Sequence, residues 1–246
     1  SSDVCSSDLH CKHYEVIDTI PKLKTLGAVM NLLQEFAYDT ETNTLRVYGA
    51  NKDFRAVDIT ISWGEYNNYI IPLGHIFSSN NIPLTALTKY IKPAFERKDV
   101  TIIGHNIKFD MHVLARLGIH IQTPYIFDTM IASWICDENA PKGLKQNTEN
   151  ILGIDQTHIG DVLETVTKEQ KKQVGLKASN KATFDLVTIE NATPYAVDDS
   201  YFTFKLYLYY LQKLEDEEMD KIYYRVYPQF IYTLFNMEER GMTVDI

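Results

Sequence analysis

The segment Phe36-Ala-Tyr-Asp-Thr-Glu-Thr-Asn43 decides the fold of this chain. Its first three residues are aromatic or apolar and predict a strand that enters a core. Side chains two apart on a strand point to the same face, so Asp39 and Glu41 should hold two carboxylates a few ångströms apart. Like charges that close favour a cation between them, and carboxylate oxygens suit Mg²⁺ or Mn²⁺.

The Asp-x-Glu spacing by itself is not specific. A second copy, Asp216-Glu217-Glu218, falls in a polar stretch and indicates a solvated helix face. The surrounding segments must therefore distinguish a metal site from a charged surface.

A second informative segment runs from Val100 to Asp110, where a β-branched run stops at Gly104 and a helical pattern follows. Asn106 and Asp110 are four residues apart, so both fit one face of the first turns of that helix. This segment adds an amide and a carboxylate to the predicted site.

The third segment opens a long helical stretch just after Pro194, a residue favoured at helix starts. Tyr195 and Asp199 are again four apart and share one face. Tyr14 and Asp18 have the same spacing in a predicted strand, so the spacing alone is weak. The order of the three segments carries more information than any one of them.

Together these segments resemble the three exonuclease motifs of the DEDD superfamily, in its tyrosine-bearing branch. The histidine-bearing branch has a His five residues before the last Asp, where this chain has Pro194. Within the tyrosine branch the chain is most similar to the 3′→5′ proofreading domain of family A DNA polymerases of bacteria or phages. The similarity rests on residues 39–45, 106–110, 195–199 and 237–245.

The resemblance implies the ribonuclease H-like exonuclease fold, an α/β fold with a mixed sheet and helices on both faces. Residues 12–215 would form the exonuclease domain, and residues 216–246 a helical lead-in to a truncated polymerase domain. Pro228 is predicted to break the helical run near that junction. Residues 1–11 repeat Ser-Ser-Asp, fit no fold pattern, and are predicted to be a non-native or disordered tail.

The resemblance also implies phosphodiester hydrolysis with two Mg²⁺ or Mn²⁺ ions as cofactors. Asp39 would bridge both ions, Glu41 and Asp199 would complete the first site, and Asp110 would hold the second. Tyr195 would orient the attacking water, since a phenol with an ordinary pKa near 10 is a poor base at neutral pH.

Two residues are candidates for substrate contact. Asn106 would contact the terminal nucleotide, and Leu45 matches the family's apolar wedge against the last base, although a plain core or turn leucine fits equally well. Asp198 competes with Asp199 for the metal role, and the tyrosine spacing favours Asp199. Asp128 is expected to be a helix N-cap and not a ligand.

Composition agrees with a globular enzyme. Hydrophobic residues make up 45% and aromatic residues 12% of the chain, whereas the net charge of −9 disfavours binding of nucleic acid through surface charge alone. Three cysteines without paired spacing indicate a reducing compartment and neither a disulfide framework nor a zinc site. No apolar run reaches the roughly 18 residues of a membrane span. We therefore expect a cytoplasmic protein, in bacterial or phage-infected host cytosol.

Three functions fit these features. The leading one is proofreading, the removal of nucleotides from a single-stranded DNA 3′ end by a monomer with a polymerase domain in cis. The second is a free-standing exoribonuclease resembling ribonuclease D, which shares the tyrosine motif. The third is a catalytically silent DNA-binding module, which the presence of all four carboxylates and the tyrosine disfavours.

Overall fold

A single mixed sheet organises the protein. The computed structural model describes residues 11, 13–49 and 51–243. Within these residues, six strands pair in the order β1-β4-β3-β2-β5-β6. β3 is antiparallel to both of its neighbours, and the other pairs are parallel. The strands are β1 (Glu15–Val16), β2 (Glu35–Thr42), β3 (Ala56–Ser62), β4 (Asn68–Pro72), β5 (Thr101–Gly104) and β6 (Ile126–Asp128).

Helices cover both faces of this sheet, which confirms the predicted fold class. A 3₁₀ turn (Phe184–Leu186) precedes the longest helix, α9. No helix in the described part of the chain combines the length and apolar character needed to cross a bilayer. The helices are α1 (Ile20–Met30), α2 (Leu84–Tyr90), α3 (Lys92–Phe95), α4 (Ile107–Arg116), α5 (Thr129–Cys136), α6 (Leu144–Leu152), α7 (Ile159–Glu164), α8 (Lys168–Gln173), α9 (Ile189–Asp216) and α10 (Asp220–Arg240).

Alternation along β2 sorts its side chains between two cores. Phe36 and Tyr38 are fully buried in the core that includes α1 and α4. Ala37 faces the opposite way, into the core built around α9. Because strand side chains alternate, Asp39 and Glu41 continue the Ala37 face and point toward α9.

Helix α9 begins earlier than the sequence suggested. Thr188 is the N-cap, and its side chain accepts a hydrogen bond from the backbone N–H of Asn191. Pro194 therefore lies inside the helix and not at its start, so that prediction was wrong. A proline this close to the N-terminus removes one backbone hydrogen bond, and the extensive burial of α9 against the sheet offsets the loss.

Helix α10 also contains its proline. The predicted break at Pro228 was wrong, because the helix continues from Asp220 to Arg240. Pro228 is buried, and Ile231 belongs to the main core. Packing of this face overrides the unfavourable helix propensity of proline. The chain turns instead between the helices, where Glu218 has a φ of 59°.

The last turn of α10 is attached to α4. The fully buried His112 places Nδ1 2.5 Å from a Glu239 carboxylate oxygen and Nε2 2.8 Å from a Glu238 oxygen. Lys108 also pairs with Glu238. The Phe235 ring packs against the imidazole, with centroids 4.6 Å apart. The C-terminal helix is thus fixed to the helix that carries Asp110.

Three regions differ from, or extend beyond, the sequence predictions. The tail predicted for residues 1–11 lies outside the described residues except for Cys11, which is buried. The short strand Ile126–Asp128 was not predicted. The polar stretch 154–180 contains the two short helices α7 and α8.

Candidate active site

Three carboxylates converge between β2 and α9. Asp39, Glu41 and Asp199 each offer an oxygen within 4.8 Å of the oxygens of the other two. We call these three residues the acidic cluster. Asp198 points elsewhere, because its carboxylate accepts the backbone N–H of Cys11 at 3.0 Å. The structure therefore places Asp199, as the tyrosine spacing suggested, beside the β2 carboxylates.

Burial and nearby carboxylates raise the pKa of every residue in the acidic cluster. Burial raises the pKa of Asp39 well above its usual range, and the charges of Asp110 and Asp199 raise it further. Burial likewise raises the pKa of Glu41, with the charges of Asp39 and Asp199 adding to the effect. Burial raises the pKa of Asp199 to about 6 against the opposing charge of Lys145. Negative charge here is poorly compensated by the protein.

Lys145 contributes a cation to this site that the spacing of the motifs did not reveal. Its Nζ lies 3.4 Å from Asp199 Oδ1 and 2.7 Å from the carbonyl oxygen of Thr157. It also lies 4.3 Å from the centre of the Tyr195 ring. Lys145 is 54 residues from Asp199 in the sequence, and no periodic pattern connects them, so only the packing of α6 against α9 reveals the contact.

Tyr195 lies one turn before Asp199 and is buried. Burial raises the pKa of its phenol, and the charges of Glu41, Asp199 and Asp39 raise it further. The hydroxyl therefore stays protonated at neutral pH. It is suited to donate a hydrogen bond and unsuited to act as a base.

Asp110 does not join the acidic cluster. It is buried on α4, and its Oδ1 accepts the backbone N–H of Thr40 at 3.1 Å as well as the Thr40 hydroxyl. The pairing between β5 and β2 ends at Ala37. Asp110 therefore bonds to β2 at Thr40, past the end of the paired region. Burial raises the pKa of Asp110 to about 8, against the Thr40 hydrogen bonds. The structure thus brings three of the four predicted carboxylates into one group and holds the fourth next to it through Thr40.

Asn106 is presented by a strained turn. It is exposed and has left-handed backbone angles, φ 57° and ψ 44°, at the N-cap of α4. The Asp128 carboxylate accepts the backbone N–H groups of Asn106 and Ile107, both at 3.0 Å. Asp128 also accepts the N–H of Met130, which confirms its predicted role as the N-cap of α5. One buried carboxylate therefore fixes both helix starts.

Leu45 follows the end of β2 and is 81% exposed. Its exposure excludes a core role. An apolar side chain of that size, so open and close in sequence to the acidic cluster, is available for contact with a base.

The acidic cluster fits a divalent metal ion. Its donors are carboxylate oxygens, the ligands that Mg²⁺ and Mn²⁺ prefer. Burial first, and the charges of neighbouring carboxylates second, raise the pKa values of Asp39 and Glu41, and a bound cation would favour their ionised forms. The donor set for a second ion is less complete, because one oxygen of Asp110 is held by Thr40.

Comparison with known proteins agrees with this geometry. A family model described as 3′-5′ exonuclease matches residues 14–215. DNA polymerase I of Borreliella burgdorferi is 29% identical over 246 residues, covering 99% of this chain and 24% of that protein. DNA polymerase of Escherichia phage T5 is 26% identical over 220 residues, covering 85% of this chain and 24% of that protein. The chain thus spans about a quarter of the length of these relatives.

Solved structures share the fold. NrnC of Brucella melitensis with bound Mg²⁺ has a TM-score of 0.60 at 21% identity, covering 93% of this chain and 92% of that one. Escherichia coli RNase D, an exoribonuclease, has a TM-score of 0.60 at 16% identity, covering 94% of this chain and 52% of that one. At these identities the likeness concerns the fold alone.

Proposed function

We propose, from the premise that this chain belongs to the 3′-5′ exonuclease family, that it removes nucleotides from the 3′ end of single-stranded DNA. The observation that carries the proposal is the acidic cluster, whose oxygens lie within 4.8 Å of one another beside a buried tyrosine. The same residues are those that the exonuclease motifs assign to metal binding.

The chemistry requires positive charge, because hydrolysis adds negative charge to a phosphate that is already anionic. Two divalent ions, Mg²⁺ or Mn²⁺, would neutralise that charge and acidify the attacking water when bound. Asp39, Glu41 and Asp199 would hold the first ion. Asp39 and Asp110 would hold the second.

The protein's own groups would orient the reactants. Tyr195 would donate its hydroxyl proton in a hydrogen bond to the attacking water, since its raised pKa keeps it neutral. Asn106, presented by the turn that Asp128 fixes, would contact the terminal nucleotide. Leu45 would pack against the last base.

The relatives give the proposal its biological setting. They are DNA polymerases of bacteria and phages, and each is about four times as long as the matched segment. We propose that residues 12–215 form the proofreading domain, that residues 216–246 begin a polymerase domain in cis, and that the protein acts as a monomer in bacterial or phage-infected cytosol.

The test uses single-stranded DNA carrying a label that survives removal of the 3′ end, incubated with protein and Mg²⁺ or Mn²⁺. The wild type should shorten the strand stepwise, and EDTA or Asp39→Ala should abolish the reaction. Asp216→Ala is the matched control, because Asp216 belongs to the second Asp-x-Glu copy and is exposed. Equal activity in Asp39→Ala would refute the proposal. Faster degradation of an RNA strand of the same sequence would favour the exoribonuclease alternative.

A further inference from the structure

We propose that Lys145 is a positioning residue of the active site. It fixes the Tyr195 ring relative to the Asp199 carboxylate and leaves that carboxylate able to bind a metal ion. The inference rests on the proposed exonuclease function. It adds a basic side chain to a site otherwise defined by acids and a tyrosine.

The first support is the geometry around the ammonium group. Lys145 reaches from α6 to a point where three different groups surround Nζ. Its shortest contact is the Thr157 carbonyl oxygen at 2.7 Å, and the face of the Tyr195 ring lies 4.3 Å away. Ammonium groups are attracted to aromatic faces at such distances. The cation therefore restrains the tilt of the ring whose hydroxyl must meet the attacking water.

The second support is the length of the contact with Asp199. Charge-assisted N–H···O bonds usually measure about 2.7–2.9 Å, but Nζ lies 3.4 Å from Asp199 Oδ1. The shorter bond goes to a neutral carbonyl, that of Thr157. The loop after α6 thus holds the ammonium back from the carboxylate. Asp199 remains a poorly compensated anion that can still bind a metal ion.

The third support is the balance of charge. Asp39, Glu41 and Asp199 place three carboxylates within 4.8 Å of one another, and Lys145 lies at their edge. An ammonium there steadies the cluster before metal arrives. It also repels an incoming divalent ion, because like charges a few ångströms apart repel even in water.

These contacts predict opposite changes in two measurements. In Lys145→Met, which keeps the length of the side chain and removes the charge, kcat on single-stranded DNA should fall roughly 10–100-fold, since small misplacements of catalytic groups have effects of that size. KM should change less than about threefold, as expected for a residue that acts on groups used in the reaction step. The Kd for Mn²⁺, measured by electron paramagnetic resonance without DNA, should become about tenfold lower. A merely structural defect would not tighten metal binding.

Two further variants complete the experiment. Lys142→Met is the matched control, because the Lys142 ammonium lies in the same segment and donates a hydrogen bond to the Asp137 carbonyl oxygen, away from the acidic cluster. It should retain wild-type kcat and metal affinity. Lys145→Arg keeps the charge and should recover part of the lost kcat.

The outcomes separate the inference from the proposed function. If the wild-type protein is an active exonuclease and Lys145→Met has the same kcat, the role proposed for Lys145 is wrong and the proposed function still stands. Unchanged or weaker Mn²⁺ binding in that variant would also overturn the role of Lys145, as would an equal loss of kcat in Lys142→Met. Absence of activity in the wild type with metal would overturn the proposed function itself, whereas the Mn²⁺ titration would still report on Lys145.

Discussion

Two neighbouring strands place carboxylates in contrasting surroundings. Asp58 on β3 lies opposite Glu41 on β2 in the strand register. The Asp58 oxygens lie 2.9 and 3.0 Å from Nε2 of the buried His75, whose Nδ1 lies 2.7 Å from the Val187 carbonyl oxygen. Glu41, in the acidic cluster, has other carboxylates as neighbours. The buried Asp58 is matched by an imidazole, whereas the half-buried Glu41 lies among other acids.

The contrast distinguishes an acid whose charge is matched within the protein from one that we propose binds metal. Burial lowers the pKa of His75, but its hydrogen bond to Asp58 and the Asp58 charge outweigh that effect and raise it. This pair is satisfied within the protein. In the acidic cluster, Lys145 lies 3.4 Å from Asp199 and compensates part of the negative charge. A bound metal ion would compensate more of it, so we expect the folding cost of the cluster to be linked to metal binding.

The substitution with the largest expected effect on this contrast is Glu41→Gln. Loss of a carboxylate that we propose holds metal should lower kcat/KM on single-stranded DNA roughly 10²–10³-fold. The melting temperature without metal should stay the same or rise, because one of several repelling charges is removed. Parallel measurement of activity and thermal unfolding checks both expectations. A variant that is active but less stable would erase the distinction.

Asp58→Asn should show the opposite behaviour. Breaking a buried ion pair leaves His75 without its counter-charge and should lower the free energy of unfolding by about 3–5 kcal/mol. Activity per folded molecule should remain close to the wild type. Urea denaturation combined with activity assays on the folded fraction tests this, and a loss of activity without a loss of stability would contradict it.

The pH dependence of stability should be unusual in the metal-free protein. Folded carboxylates with raised pKa values bind protons that the unfolded chain has released, so the free energy of unfolding falls as pH rises from about 4 to 8. Asp199, with a pKa of about 6, contributes on the order of 3 kcal/mol of this loss. His75, whose folded pKa is also raised, adds stability below about 6.5 that is lost as pH rises through its folded value. Urea midpoints in EDTA across this range measure the slope, which Asp39→Asn should flatten.

The smallest expected effect is stabilisation by metal. At about ten times its Kd, Mg²⁺ or Mn²⁺ should raise the free energy of unfolding by about 1.4 kcal/mol. The gain should disappear in Glu41→Gln and persist in Asp216→Ala. Calorimetric scans with and without the ion provide the measurement, and equal stabilisation of all three proteins would indicate non-specific binding.

The sequence predicted the parts of the site that follow a short period. Asp39 and Glu41 share a face because strand side chains repeat every two residues, and Tyr195 lies one helical turn from Asp199. Both relations are local, so spacing alone indicates them. Whether all four acids meet in one group depends on how α4 and α9 pack against β2. Residue spacing within a segment gives no information about that packing.

Long-range packing explains what the sequence did not reveal. Lys145 meets Asp199 through the packing of α6 on α9, and Asp128 fixes the Asn106 turn from a strand of only three residues. Pro194 and Pro228 stay inside helices because the buried faces of α9 and α10 outweigh local propensity. Each of these features depends on tertiary contacts.

The attachment of α10 to α4 has a practical consequence for anyone who shortens this protein. The family match ends at residue 215, yet a version trimmed there would lose the buried Tyr223 and Ile231 and expose the apolar side chains that they cover in two cores. It would also strip both acidic partners from His112, two residues from Asp110. The smallest piece suitable for expression therefore extends through Arg240, well past the end of the family match at residue 215.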